Sequence, residues 1–252
     1  MLQTRVMPCL LLKGRALVRT VRFKNPKYVG DPVNTIRIFN EKEVDELIFL
    51  DITATPERKE PPYALLEEIA AECFMPFTYG GGVRSLQQME RLYSLGVEKI
   101  ALNTAALADP ELIQRAAERF GSQSVVVAID AKKTWRGYRV MTACGRQKTK
   151  RTPLDWAREA EWRGAGEILL TSIDQDGAMQ GYDLALTESV SAAVQVPVIA
   201  CGGAGSVEDF ARVVHDAGAS AAATGSLVVY QGPHRAVLIN FPARDELEAV
   251  LA

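Results

Sequence analysis

Eight short apolar runs alternate with helical patterns, a repeat spans half the chain, and no linker or low-complexity tract interrupts them. These observations predict an α/β fold: a single-domain (β/α)8 TIM barrel covering 1–252, built from two half-barrel repeats of about 1–122 and 123–252. With 252 residues, 48% hydrophobic and 24% charged, the chain can bury a substantial core. A doubly wound open sheet is the runner-up. It loses because no strand is followed by GxGxxG and no second domain is evident.

The strands read near Val6–Leu12, Glu46–Ile52, Phe77–Gly80, Lys99–Asn103, Val125–Asp130, Ile168–Ser172, Val198–Gly202 and Ala221–Gly225. Runs of this length fit strands buried on both faces of a parallel sheet. Asp31-Pro32, Asp109-Pro110 and Thr152-Pro153 each pair an N-cap residue with proline at the first helical position. Ser85-x-x-Gln88 has the form of a capping box, and Ser206 precedes Glu208 and Asp209 at another helix start. Asp245–Leu251 reads as a closing helix.

Composition narrows the chemistry. A net charge of -2 gives no reason to expect nucleic acid, and the lack of any run of about 18 apolar residues argues against a membrane span. The N-terminus passes straight into a strand-like run, unlike a secretory signal. Cys9, Cys73, Cys144 and Cys201 have no zinc-type spacing, so reduced thiols and a cytoplasmic protein are expected. His215 and His234 stand beside no motif, which argues against Ser-His or Cys-His catalysis and a His-rich metal site. No metal or cofactor is expected.

Each half of the chain serves as a control for the other. Phe49-Leu50-Asp51-Ile52-Thr53 recurs as Leu169-Leu170-Thr171-Ser172-Ile173, Tyr79-Gly80-Gly81-Gly82 as Ala200-Cys201-Gly202-Gly203, and Leu102-Asn103-Thr104 as Thr224-Gly225-Ser226, at offsets of roughly 120 residues. Glycines at strand ends let backbone N–H groups approach an anion. Gly81, Gly82, Asn103 and Thr104 form one expected phosphate cradle; Gly202, Gly203, Gly225 and Ser226, with Gly177 nearby, form the other. A ligand with two phosphate groups spanning the barrel mouth would use both. Lys13, Arg15, Arg19, Arg22, Lys24 and Lys27 follow the first strand without an acidic residue before Asp31, suggesting a mobile basic flap over an anionic ligand. Asp130 ends the fifth strand, where such barrels place their chemistry, and is the candidate catalytic carboxylate.

Met7-Pro8-Cys9-Leu10, Phe49-Leu50-Asp51-Ile52-Thr53, Gly80-Gly81-Gly82, Asn103-Thr104-Ala105, Gly121-Ser122-Gln123, Ala128-Ile129-Asp130, Gly164-Ala165-Gly166-Glu167, Leu170-Thr171-Ser172-Ile173-Asp174 and Gly202-Gly203-Ala204-Gly205 together resemble HisF, the cyclase subunit of imidazole glycerol phosphate synthase. The resemblance covers residues 1 to about 228. It implies a barrel paired as a heterodimer with a HisH-type glutaminase, whose ammonia passes through the barrel to a bisphosphorylated substrate. Two aspartates, ending the first and fifth strands, would then run the cyclization. Asp130 matches the second, but the first-strand position is Leu11, which can neither accept nor donate a proton. Cys201 replaces the usual serine after the seventh strand. The ammonia gate implied at the opposite mouth is complete in type: Arg5, Glu46, Lys99 and Glu167.

The pattern of an intact conduit and a broken acid/base pair supports one expectation above others. Leu11 and Val21-Arg22-Phe23-Lys24-Asn25-Pro26 resemble the HisF-like branch that supplies ammonia for acetamidino groups on surface-polysaccharide sugars, with a separate sugar amidotransferase. The alternative is an authentic histidine-pathway cyclase. A catalytically silent scaffold that activates the glutaminase, and an isomerase of the same barrel superfamily, are weaker readings.

Overall fold

The computed structural model describes residues 4–232 and 234–251. The first half contains β1 (Arg5–Lys13), β2 (Ala16–Val21), β3 (Lys24–Gly30), α1 (Pro32–Glu41), β4 (Leu47–Asp51), α2 (Tyr63–Glu72), β5 (Phe77–Gly80), α3 (Leu86–Ser94), β6 (Lys99–Leu102), α4 (Thr104–Ala108) and α5 (Glu111–Phe120). The second contains β7 (Val125–Thr134), β8 (Gly137–Thr142), β9 (Gln147–Lys148), α6 (Pro153–Trp162), β10 (Glu167–Ser172), α7 (Leu184–Ser191), β11 (Val198–Cys201), α8 (Glu208–His215), β12 (Ala221–Thr224), β13 (Tyr230–Gln231), β14 (Ala236–Val237) and α9 (Arg244–Leu251).

Strands β1, β4, β5, β6, β7, β10, β11 and β12 pair in parallel in that order, and β12 pairs back onto β1 to close the barrel. This is the (β/α)8 barrel that the sequence predicts. Strand alternation gives two cores. Val6, Leu10, Phe49, Val127 and Leu170 point outward against the helices; Met7, Cys9, Ile48, Val126, Ala128, Leu169 and Ile199 fill the interior.

The helix starts follow from local chemistry. Asp31 caps Asn34 N–H at 3.0 Å and Thr152 caps Asp155 N–H at 3.1 Å, with proline next in each case. Ser85 Oγ accepts from Gln88 N–H at 3.3 Å, while Gln88 reaches back to Arg84 N–H at 2.9 Å. Asp109-Pro110 departs from expectation: α5 starts one residue later with no side-chain cap, and the Asp109 carboxylate instead pairs with Arg115 at 2.5 Å. The Asp209 carboxylate accepts from Gly205 and Ser206 N–H groups, satisfying the start of α8 from within the helix.

Three features depart from the sequence reading. The basic stretch after β1 is the antiparallel hairpin β2–β3, where the sequence reading expected a loop. β7 does not end at Asp130 but runs on to Thr134 and pairs with β8. Both half-barrels therefore extend their first strand into a hairpin, so the duplication includes these extensions. The repeat is also offset by one residue in the second strand of each half. Leu50 and Thr171 both face the interior, so they correspond, whereas Leu170 faces outward. A one-residue slip exchanges the faces of a strand, and similarity of type alone did not reveal it.

After Tyr230 the chain forms the β13–β14 hairpin and α9, which packs on α8. Phe241 meets Phe39 edge-on at 6.4 Å, joining the last segment to α1.

Candidate functional site

The C-terminal ends of the barrel strands enclose a cavity of about 210 Å³. Its wall includes Leu11, Asp130, Asn103, Thr104, Gly81, Gly82, Gly177, Gly202, Gly203, Gly225 and Ser226. Every residue expected in the two cradles thus lies around one space with the candidate carboxylate. The folding reason is positional: the turns at Gly81, Gly202 and Gly225 immediately follow barrel strands, and the eight barrel strands run in one direction. Gly81 and Gly203, both with φ of 125°, also allow close packing: a side chain on Gly81 would strike the Asp51 backbone, and one on Gly203 the Gly181 backbone.

Asp130 projects into this space and accepts a hydrogen bond from Asn103 Nδ2 at 3.0 Å. Burial pushes its pKa up to about 7, Asp176 adds like-charge repulsion, and the Asn103 hydrogen bond opposes the rise. A carboxyl poised near neutrality can take or give a proton. Leu11 lines the same cavity at 8% exposed and supplies no such group. Cys144 is also present, its thiol pushed up to about 12 by burial first and by Asp130 second.

Asp51 and Asp176 are buried carboxylates already engaged by the chain. Asp51 accepts from Thr53 N–H, Thr53 Oγ1 and Ala54 N–H at 2.7–3.0 Å. Asp176 accepts from Thr20 Oγ1 at 2.7 Å and Phe23 N–H at 3.1 Å, and its carbonyl accepts from Arg22 N–H at 2.9 Å. The β2–β3 tip is thereby tied across the cavity, with Phe23 on its wall. Five of the six cations after the first strand are exposed; Arg19 alone is buried and faces the cavity.

At the opposite mouth Arg5, Glu46, Lys99 and Glu167 form a closed ring. Arg5 bridges Glu46 and Glu167, each at 2.7 Å, and Lys99 bridges the same two carboxylates at 3.0 and 3.1 Å. Burial works to lower the Arg5 pKa, but Glu167 and Glu46 outweigh it and hold the group above its ordinary value. Between ring and cavity lie Met7, Ile48, Val126, Leu169 and Ile199.

A family model described as histidine biosynthesis protein matches residues 5–234. A Pseudomonas aeruginosa protein, provisionally named imidazole glycerol phosphate synthase subunit hisF2, is 56% identical over 98% of this chain and 99% of its own length. A Halalkalibacterium halodurans protein named imidazole glycerol phosphate synthase subunit HisF is 49% identical over 92% of each chain. The chain belongs to the HisF family.

Among its HisF relatives, a Leptospira interrogans protein with a provisional HisF name is 48% identical over 99% of both chains. These names fit the histidine-pathway alternative better than the acetamidino-sugar expectation, for none mentions a sugar or polysaccharide. No described helix is long and apolar enough to cross a membrane, and the four thiols are free. Sequence reasoning missed three features of this HisF-family site: the burial of Arg19, the unpaired Thr224 hydroxyl, and the Asp176 clamp. The apolar Leu17-Val18 before Arg19 was the available signal for a strand.

Proposed function

We propose that this chain is the ammonia-accepting subunit of an imidazole glycerol phosphate synthase-type enzyme, partnered by a HisH-type glutaminase. The observation that carries it is the alignment of three parts in one barrel: the charged ring, the apolar interior, and Asp130 in a glycine-rimmed cavity. Ammonia enters through Arg5, Glu46, Lys99 and Glu167, crosses the interior as a neutral molecule, and meets a phosphorylated acceptor beside Asp130. Gly81, Gly82, Asn103, Thr104, Gly177, Gly202, Gly203, Gly225 and Ser226 surround that acceptor. Asp130 shuttles protons during the addition.

The names of the relatives support the bisphosphorylated histidine-pathway intermediate as acceptor. Leu11 favours a second reading, in which the ammonia serves acetamidino-group formation on a surface-polysaccharide sugar with a separate amidotransferase. An acid/base pair reduced to one member forfeits roughly 10²–10⁴-fold in rate. The test is transfer of label from [amide-15N]glutamine, with the glutaminase present, to the histidine-pathway intermediate. Label in imidazole glycerol phosphate, formed about 10²-fold or more slower than by a relative, supports the first reading; glutamine hydrolysis without such product supports the second. No hydrolysis and no transfer contradict both.

A further inference from the structure

The net charge of -2 conceals a separation of charge along the barrel axis. Residues 13–30 and 131–151 hold fourteen of the chain's 29 lysines and arginines and none of its 31 acidic residues. The remainder of the chain carries fifteen cations against every one of those acids. The two basic stretches are the hairpins that extend β1 and β7, so both stand beyond the same end of the barrel. They meet over the cavity mouth. Phe23, at the β2–β3 tip, lies so close to Gly145 of the β8–β9 turn that a β-carbon there would be 3.0 Å from its ring. Lys24, Lys27, Lys132, Lys133, Lys148 and Lys150 are exposed and form no ion pair with any described residue. Acids on the neighbouring loops are already engaged: Asp174 accepts from Lys133 N–H at 2.8 Å, and Glu57 pairs with Lys59 at 2.5 Å.

Apolar groups gather at the same end. Seven large hydrophobic side chains are exposed among the described residues, and Val21, Tyr28, Trp135, Val237 and Leu238 are five of them. The first three belong to the basic hairpins. The last two belong to the β13–β14 segment, where Arg235 donates to the Gly177 and Ala178 carbonyls at the mouth, each at 3.3 Å. Trp135 is 85% exposed at the β7–β8 turn. Thr134 Oγ1 braces that turn, donating to the Gly137 carbonyl at 2.6 Å and accepting from Arg136 N–H at 3.3 Å. The Arg136 guanidinium covers one face of the indole at 4.1 Å.

We infer that this crown docks on an anionic phospholipid surface, with its lysines among the headgroups and Trp135 entering the interfacial layer. Clustered lysines with an exposed tryptophan suit a diffuse negative surface, to which each cation contributes separately. A protein partner fits less well, because interface cores are depleted in lysine. A nucleic acid fits less well too, because Arg136 occupies a face of the one ring most open to base stacking. An electrostatic contact of this kind is reversible, so small ligands still reach the mouth. The inference goes beyond the proposed function and does not depend on which acceptor takes the ammonia.

The test is co-sedimentation of the full chain, in about 0.1 M salt, with vesicles of phosphatidylcholine alone or with about 30 mol% phosphatidylglycerol. The chain binds the anionic vesicles at least about tenfold more tightly, and about 0.5 M salt removes most of that advantage. Binding shifts the tryptophan emission to the blue and Trp135→Ala abolishes the shift, since Trp156 is buried and Trp162 ends α6. Lys24→Glu with Lys132→Glu weakens binding more than about tenfold, whereas Lys42→Glu with Arg158→Glu, at exposed positions outside the hairpins, changes it less than about threefold. Circular dichroism checks that each variant is folded. Equal binding to both vesicles, binding to neither, an unshifted emission or equal losses in the two double variants would overturn the proposal. Tighter binding to poly(U) or to polyglutamate, at equal charge concentration, would overturn it in favour of a nucleic acid or an acidic protein.

Discussion

Asp130 combines a half-buried carboxyl on the cavity wall with a single hydrogen-bond donor, Asn103, and this fixes its response to pH. Its pKa is pushed up to about 7 in the folded chain from an ordinary value of 3.8. The folded state therefore holds this proton more tightly than the unfolded state does. The contribution to stability is fully present below pH 3.8 and is lost as pH rises through about 7. Asp130→Asn removes the ionisation, so its melting temperature should exceed that of the wild type above pH 7 and converge with it towards pH 4. Thermal melts across that range check this. The same substitution should cost roughly 10²–10⁴-fold in any ammonia-dependent turnover, measured at saturating ammonia. Leu11→Asp places a second carboxylate in the cavity. Like-charge repulsion then raises both pKa values, and the pH–rate profile should gain a second limb.

The β2–β3 hairpin depends on Asp176, which receives Thr20, Phe23 and, through its carbonyl, Arg22. Asp176→Ala removes the carboxylate end of this clamp and leaves the Thr20 hydroxyl unpaired. Trypsin should then cut at Arg22, Lys24 or Lys27 several-fold faster than in the wild type, while the barrel stays resistant; timed digestion with mass spectrometry follows it. The hairpin is also where the sequence was hardest to read. Barrel strands such as Val125–Asp130 are continuous apolar runs, and their number and order were legible. β2 and β3 are dense in cations, and Lys132-Lys133 carries β7 onward, so both extensions resembled solvated loops. The placing of the glycine turns around one cavity, and of the charged ring, was legible because matched residues recur in both halves or fit a known pattern. The burial of Arg19 was not, since nothing local separates it from five exposed neighbours of like charge. Which face Leu50 or Leu170 presents is decided by barrel pairing, which a type-by-type match does not contain.

Across the whole molecule, the ring and the cavity occupy opposite ends of one barrel. Two cations and two carboxylates satisfy each other in the ring, so removing one leaves the others short of a partner. Glu167→Gln should lower stability by about 2 kcal/mol, below the range for fully buried pairs because Arg5 and Lys99 are partly exposed. Denaturant unfolding measures it. The same change should let glutamine-derived ammonia leak to solvent, while activity with added ammonium salt persists. The central claim is that Leu11 leaves this barrel with half of the acid/base pair expected of its family. The most direct measurement is cyclization of the histidine-pathway intermediate with ammonium salt, comparing the wild type, Leu11→Asp and a HisF relative side by side. The account predicts wild-type turnover at least about 10²-fold below the relative, with a large gain in Leu11→Asp. Wild-type turnover equal to the relative, unaltered by Leu11→Asp, would contradict it.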